Sequence, residues 1–136
     1  MPDTALKRRQ AVILISDIVG YSRMMGRDEV GTLTTLQKHR FAVIEPTVGQ
    51  FRGRIVKSMG DGLLIEFQTV RDAVACAIDI QERIRRLNGQ ARDTLEITYR
   101  IGINRGEIIV EENDIFGDGV NVAARLQEVA DPEGVA

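Results

Sequence analysis

Apolar residues recur along the chain with different spacings, and each spacing predicts a different element. Residues 11–15 form a compact apolar run, which predicts a buried strand. Asp28 is then a typical N-cap for a helix. The apolar residues after it recur every three or four positions and predict one core-facing stripe, made of Val30, Leu33, Leu36, Phe41, Ile44 and Val48. Pro46 is expected to kink or end this helix.

Residues 54–67 predict a β-hairpin. Two short apolar-rich runs meet at residues 59–62 (MGDG), where the Asp61-Gly62 pair is expected to supply the positive φ angles of a tight turn. An Asp-Gly pair is most often only a turn former, so this pattern alone assigns no function to Asp61. Thr69 then opens a second helix as part of a capping box. Its predicted buried stripe is Val70, Val74, Ala77, Ile80, Ile84 and Leu87, and residues 88–89 (NG) predict its end.

The last third of the chain predicts two further strands and a helix. Residues 95–103 alternate between apolar and polar and predict a strand, residues 104–106 its turn, and residues 107–110 its partner strand. A glycine-broken loop then leads into a helix from Val120, which places Asn121 and Arg125 on one face. The element order β-α-β-β-α-β is typical of an α+β fold of the ferredoxin-like, split βαβ type.

Composition narrows the possible functions. The chain has 136 residues, enough for one domain with a core, and its net charge of -2 does not favour a nucleic-acid partner. The single Cys76 suits neither a disulfide framework nor a zinc site, and no apolar run is long enough to contact or cross a membrane. We therefore expect a cytoplasmic domain at residues 11–136 after a basic extension at residues 1–10. The only histidine, His39, is expected on the surface without a catalytic role.

Two aspartates are placed where they could meet. Asp17 follows the first predicted strand and Asp61 lies in the hairpin turn, and a split βαβ fold puts these elements side by side. Two neighbouring carboxylates repel each other unless a cation lies between them. Mg²⁺ held by one or two carboxylates and completed by substrate phosphates is a common solution.

Four segments give the chain a resemblance to a known family. They are residues 16–22 (SDIVGYS), 54–61 (RIVKSMGD), 100–106 (RIGINRG) and 114–125 (DIFGDGVNVAAR). In this order and spacing they resemble the catalytic domain of class III nucleotidyl cyclases of the adenylate cyclase type. The resemblance runs from about Val12 to the end of the chain.

The resemblance implies a role for each matching residue. It implies that two divalent cations, Mg²⁺ or Mn²⁺, are bound by a pair of aspartates, and that adenine is recognised by a lysine with an acidic partner. Guanylate cyclases typically carry Glu and Cys at these last two positions. The implied metal ligands are Asp17 and Asp61, the base readers are Lys57 and Asp114, the ribose-orienting residue is Asn121, the transition-state residue is Arg125, and the backbone around the terminal phosphates is that of Ile18, Val19 and Gly20.

The implied reaction converts ATP into 3′,5′-cyclic AMP and pyrophosphate, through attack of the 3′-hydroxyl on the α-phosphorus. The family shares its active sites across a head-to-tail homodimer. Its domains continue beyond the Asp-Pro-Glu-Gly motif at residues 131–134 into further strands, which are expected to be missing here. We expect this to leave a sheet edge open and to weaken the dimer and triphosphate binding, so that the truncated chain could be inactive alone.

Two alternatives remain open at this point. The first is a non-catalytic nucleotide-binding or dimerisation module with the cyclase fold. The second is a diguanylate cyclase, which shares the two-metal hairpin. That family places a second acid directly after the position of Asp61, whereas this chain has Gly62 there. The sequence therefore disfavours the second alternative.

Overall fold

The computed structural model describes residues 7–90, 95–112 and 114–136. It contains one five-stranded antiparallel sheet in the order β2-β3-β1-β4-β5, packed against helices. The strands are β1 (Lys7–Ile18), β2 (Arg54–Met59), β3 (Gly62–Phe67), β4 (Tyr99–Glu111) and β5 (Asp114–Phe116). The helices are α1 (Tyr21–Arg27), α2 (Glu29–His39), α3 (Glu45–Gln50), α4 (Val70–Gln90) and α5 (Asp118–Val129), and a π-helical turn (Arg40–Ile44) joins α2 to α3.

The central strand β1 organises both faces of the sheet. It pairs with β3 on one side and with β4 on the other, as the split βαβ prediction requires. Its side chains alternate, so that Val12 and Leu14 pack under α3 and α4, whereas Ile13 and Ile15 pack under α5. The α+β fold is thereby confirmed. Residues 7–10, assigned above to the basic extension, lie in β1, and residues 1–6 of that extension are outside the described residues.

The helical stretch after Asp28 begins as predicted, but its buried face differs from the predicted one. The Asp28 carboxylate caps α2 by accepting a hydrogen bond from the Gly31 N–H at 2.9 Å. Half of the predicted stripe is wrong, because three of its residues are exposed: Val30 (76 %), Leu33 (41 %) and Phe41 (63 %). A single helical period does not extend through the π-helical turn, which has i→i+5 spacing. Pro46 does not end the helical stretch but lies in the first turn of α3.

The prediction that His39 lies on the surface was wrong. The side chain is buried, with only 3 % of its surface exposed, and its Nδ1 atom lies 3.0 Å from the Tyr99 hydroxyl. Burial, reinforced by the neighbouring Lys38 charge, lowers the pKa of His39 to about 4. His39 is therefore a neutral core residue that joins α2 to β4.

Helix α4 confirms its predicted start but not its predicted end. The Thr69 hydroxyl accepts a hydrogen bond from the Asp72 N–H at 3.1 Å, which confirms the cap. Val70 and Val74 are exposed, and the buried positions before Ala77 are Ala73 and Cys76. The Asn-Gly pair at residues 88–89 lies inside the helix. The Asn88 amide donates to the Ile97 carbonyl at 2.9 Å, so it ties the helix to the following segment.

One long strand replaces the predicted strand pair at residues 95–110. β4 runs without a turn through residues 104–106, because β1 pairs with it along its whole length, from Ile18↔Tyr99 to Lys7↔Val110. Its antiparallel partner on the other side is the short β5. The last residues also run along β4, with a parallel bridge between Ile101 and Val135.

Glycine in β4 allows α5 to pack directly on the sheet. A Cβ atom at Gly102 would lie 2.2 Å from the Gln127 nitrogen and 2.4 Å from the Ala123 carbonyl oxygen. Both atoms belong to the backbone of α5, so neither can move without moving the helix. This contact sets the position of the helix that carries Asn121 and Arg125.

Candidate functional site

The structure brings Asp17 and Asp61 together at one end of β1. The hairpin turn approaches β1 closely, because a Cβ atom at Gly62 would lie only 2.5 Å from the Ser16 carbonyl oxygen and 3.7 Å from Asp17 Oδ1. The prediction that the Asp-Gly pair supplies the positive φ was wrong, since Gly60 does so, at +59°. Gly62 is needed instead for the close approach of the two strands.

The surroundings of Asp17 change the pKa of its carboxyl group. Burial and the adjoining Asp61 carboxylate raise the pKa of Asp17 to about 6. The Ile18 N–H, which donates to Asp17 Oδ1 at 2.9 Å, and the Arg100 charge act in the opposite direction. Within the described part of the chain, no cluster of three or more His, Cys, Asp or Glu side chains is suited to hold a metal. Two neighbouring carboxylates can hold a cation that takes its remaining ligands from a substrate.

Arg100 is a site residue that the sequence reasoning missed. It lies directly opposite Asp17 in the β1–β4 register. Its Nε atom is buried and has no hydrogen-bond partner among the described residues. The only sequence signal was its place in the segment 100–106, since the register that sets it beside Asp17 is a tertiary property. A guanidinium next to a carboxylate pair can bind phosphate oxygens.

Lys57 and Asp114 form a second polar group, between the hairpin strand β2 and the edge strand β5. A bulge at Val56 shifts the β2–β3 register, so that Lys57 lies opposite Leu64. The Lys57 ammonium is 2.8 Å from Asp114 Oδ1 and 3.0 Å from Oδ2, and it lies 5.3 Å from the centre of the Phe116 ring. The hydrogen bond from Lys57 lowers the pKa of the Asp114 carboxyl. The two side chains are thus paired with each other.

Asn121 and Arg125 are exposed on α5. The Arg125 side chain is 70 % exposed, and its nearest recorded carboxylate is that of Asp118, at 4.0 Å. Among the described residues, neither side chain forms a hydrogen bond or ion pair with the aspartate pair or with Lys57. In a single chain these two side chains are therefore accessible on the surface of α5.

Two of the three backbone N–H groups predicted to bind phosphate already donate hydrogen bonds within the chain. The Ile18 N–H donates to its neighbour's carboxylate, and the Val19 N–H donates to the Thr98 carbonyl at 3.0 Å. Gly20, with φ of +70°, makes the left-handed turn into α1. Of the three residues, Gly20 is the one for which no such internal N–H bond is recorded.

A family model described as "Adenylate and Guanylate cyclase catalytic domain" matches residues 5–136. The chain belongs to this cyclase family. The resemblance carried by the four sequence segments is confirmed.

Individual cyclases agree with the assignment. "Putative adenylate cyclase 3" of Rhizobium meliloti (strain 1021) is 47 % identical over 136 residues, which are 100 % of this chain and 23 % of the relative. An "Adenylate cyclase" of Streptomyces coelicolor is 28 % identical over 98 % of this chain and 33 % of its own length. The solved structure of an "Adenylate/Guanylate Cyclase/Hydrolase" from Silicibacter pomeroyi superposes with a TM-score of 0.87 at 42 % identity, covering 96 % of this chain and 76 % of that one.

The cyclase chain thus spans about a quarter to a third of the length of these curated relatives. None of the helices in residues 7–90, 95–112 and 114–136 has the length and apolar character needed to cross a bilayer.

Proposed function

We propose that this cyclase domain is an adenylate cyclase, which converts ATP into 3′,5′-cyclic AMP and pyrophosphate at the interface of a homodimer. The observation that carries the proposal is the ion pair between Lys57 and Asp114, on the hairpin that also bears Asp61. The name of the 47 % identical relative supports the same substrate.

The chemistry of this pair suits adenine. A lysine ammonium only donates hydrogen bonds and a carboxylate only accepts them. Adenine offers an acceptor at N1 beside a donor at the N6 amino group, so Lys57 matches the first and Asp114 the second. Guanine offers the opposite order at the corresponding positions. A mismatched base would leave a polar group of the site without a partner, which is the strongest basis for rejecting an analogue.

Asp17 and Asp61 are proposed to hold divalent cations together with the triphosphate. When bound, Mg²⁺ or Mn²⁺ would lower the pKa of the ribose 3′-hydroxyl and neutralise the charge of the leaving pyrophosphate. The two aspartates supply the anionic ligands, and Arg100, opposite Asp17, supplies a positive charge for phosphate oxygens. No histidine is needed as a general base, which agrees with the buried and neutral His39.

Asn121 and Arg125 are proposed to act on the nucleotide held by the partner subunit. Their exposure on α5, away from the aspartate pair of their own chain, supports a shared site. Asn121 would orient the ribose, and Arg125 would stabilise the negative charge that develops at the α-phosphate. Loss of a comparable transition-state donor costs roughly 10²–10³ in rate.

The test is product formation from ATP and from GTP in parallel, with Mg²⁺ or Mn²⁺. We expect cyclic AMP to predominate, and Asp17→Ala and Asp61→Ala to abolish its formation. Glu82→Ala is the control, because Glu82 is a surface carboxylate on α4 paired with Arg86. Activity that persists in both aspartate variants would refute the two-metal mechanism. Predominant cyclic GMP would refute the substrate, and nucleotide binding without turnover would favour the non-catalytic module.

A further inference from the structure

The π-helical turn between α2 and α3 brings the side chains of Arg40 and Glu45 together. The Glu45 N–H donates to the Arg40 carbonyl, an i→i+5 hydrogen bond. This spacing also aligns the two side chains, and Arg40 Nε lies 2.9 Å from Glu45 Oε2. In an α-helix, side chains five residues apart do not face each other. The π-helical turn therefore creates the Arg40–Glu45 ion pair and orients the guanidinium.

The other end of the same guanidinium reaches the hairpin. Arg40 Nη1 donates a hydrogen bond to Ser58 Oγ at 2.9 Å. Ser58 lies on β2 between Lys57 and the turn that carries Asp61. Arg40 thus links the π-helical turn to β2, the strand that carries Lys57 and leads into the turn with Asp61.

A cavity of about 110 Å³ lies between this part of the hairpin and the helices. It is lined by Leu36, Arg40 and Ile44 on the helical side and by Ser58, Gly60 and Gly62 among others on the hairpin side. Residues that line a void lack packing partners on that side, and two of these residues have no side chain to contribute. The Arg40–Ser58 hydrogen bond joins the two walls of the cavity.

We propose that Arg40 is a positioning residue, which, held by Glu45, fixes the tip of the β2–β3 hairpin and with it Asp61. The functional part of this inference rests on the proposed metal-binding role of Asp61. Arg40 need not contact the nucleotide. It acts through Ser58, by restricting the orientations of the hairpin turn.

The first experiment is hydrogen exchange at the amides of residues 59–62, without metal or nucleotide. Arg40→Gln and Ser58→Ala should each speed exchange by about three- to tenfold, the effect expected for loss of one hydrogen bond. The double variant should exchange no faster than either single variant, because both changes remove the same bond. Arg86→Gln is the matched control, since Arg86 is also paired with a glutamate, at 2.8 Å, but lies on α4.

The second experiment is Mn²⁺ affinity, measured by electron paramagnetic resonance. It should fall by about three- to tenfold in Arg40→Gln and Ser58→Ala, and stay unchanged in Arg86→Gln. Exchange rates equal to the control, additive effects in the double variant, or unchanged Mn²⁺ affinity would each overturn the proposal. Ser58→Ala removes only one exposed hydroxyl, so it keeps the test valid if Arg40→Gln folds poorly.

The two proposals fail in different ways. Exchange of the hairpin amides does not require catalysis. The wild type could make no cyclic AMP while Arg40→Gln still speeds hairpin exchange and lowers the Mn²⁺ affinity. That result would reject the proposed activity alone. Active protein whose hairpin exchange is independent of Arg40 would reject the positioning role alone.

Discussion

Lys57 and Asp114 lie on opposite edge strands of the sheet, yet their charged atoms are 2.8 Å apart. The sheet must curl until β2 and β5 meet. Because both side chains are about one-third exposed, the ion pair itself contributes little to stability. Its consequence is positional, since it holds a hydrogen-bond donor and an acceptor side by side, as the proposed recognition of a base edge requires.

Replacing Lys57 should therefore impair base selection more than folding. In Lys57→Met we expect kcat/KM for ATP to fall roughly 10- to 100-fold, because Asp114 and the base each lose a partner. The ratio of ATP to GTP turnover should fall with it. Steady-state kinetics with both nucleotides provide the measurement.

Arg54→Met is the control for Lys57→Met. Arg54 lies on the same strand and pairs with Glu66 at 2.8 Å, but Glu66 lies on the neighbouring strand, and β5 takes no part in that pair. Its ATP-to-GTP ratio should match the wild type. An unchanged ratio in Lys57→Met would contradict the adenine-reading role.

Mixing two inactive variants should restore activity if the sites are shared. Asp61→Ala and Arg125→Ala each destroy both sites of their own homodimer. In a heterodimer, one site receives both changes and the other receives none. Random mixing should thus recover about a quarter of the wild-type activity. Cyclic AMP formation is measured after mixing the two proteins.

The matched control for this complementation is a mixture of Asp17→Ala with Asp61→Ala. Both residues belong to the same half of the site, so every heterodimer would retain one defect in each site. This mixture should stay inactive. Equal recovery in the two mixtures, or recovery in neither, would contradict the shared site.

The buried His39 should make stability fall in mild acid. Its pKa is about 4 in the folded chain and about 6.5 in an unfolded one. Between these values the unfolded state binds a proton that the folded state does not. His39 therefore contributes a decrease in the free energy of unfolding as pH falls from about 6.5 to 4, by at most about 1.4 kcal/mol per pH unit. The raised pKa of Asp17 contributes in the opposite direction below about pH 6, so the contribution of His39 is the difference between the wild type and a variant without the imidazole.

Urea unfolding of the wild type and of His39→Gln at several pH values measures this dependence. The amide can still bond to the Tyr99 hydroxyl but does not titrate in this range. Because the chain has a single histidine, the difference in slope belongs to His39. Parallel curves for the two proteins would show that His39 is not held neutral.

Gly102→Ala should destabilise the protein, because the added methyl group would meet the backbone of α5. Overpacking of this kind typically costs about 1–3 kcal/mol. Activity should fall as well, since the displaced helix carries Asn121 and Arg125. The free energy of unfolding and the cyclase rate are the two measurements.

Gly89→Ala is the matched substitution. Gly89 lies within α4. Apart from its neighbours and the backbone of its own helix, no atom of the described residues lies within 4 Å of the position that its Cβ would occupy. Alanine should stabilise the helix there by about 0.5–1 kcal/mol. Equal effects of the two substitutions would mean that α5 does not rest on Gly102.

Local signals explain what could be predicted from the sequence. The caps at Asp28 and Thr69 were correct because a capping side chain bonds to an N–H three residues away. The hairpin at residues 54–67 was correct because two short apolar-rich runs and the Gly-Asp-Gly turn between them are contained in one short stretch. The family, too, could be recognised from four short segments, and it is confirmed.

The errors fall where a distant residue decided the outcome. Residues 104–106 resemble a turn, but Gly106 is needed because its Cβ would lie 3.1 Å from the Cα of Gly119. His39 resembles a surface residue among charged neighbours, but its partner Tyr99 is 60 positions away. The phase of the helical stripe was lost at the π-helical turn, which the sequence pattern does not reveal.

The sequence by itself determined the first strand, the hairpin, the starts of two helices and the family, and it offered a set of candidate polar residues. Only the tertiary structure decided which of them meet: Asp17 with Asp61 and Arg100, Lys57 with Asp114, and Arg40 with Ser58. The reason is physical. Periodicity, caps and turns depend on neighbouring residues, whereas strand register, sheet curl and a π-helical shift depend on how the whole core packs.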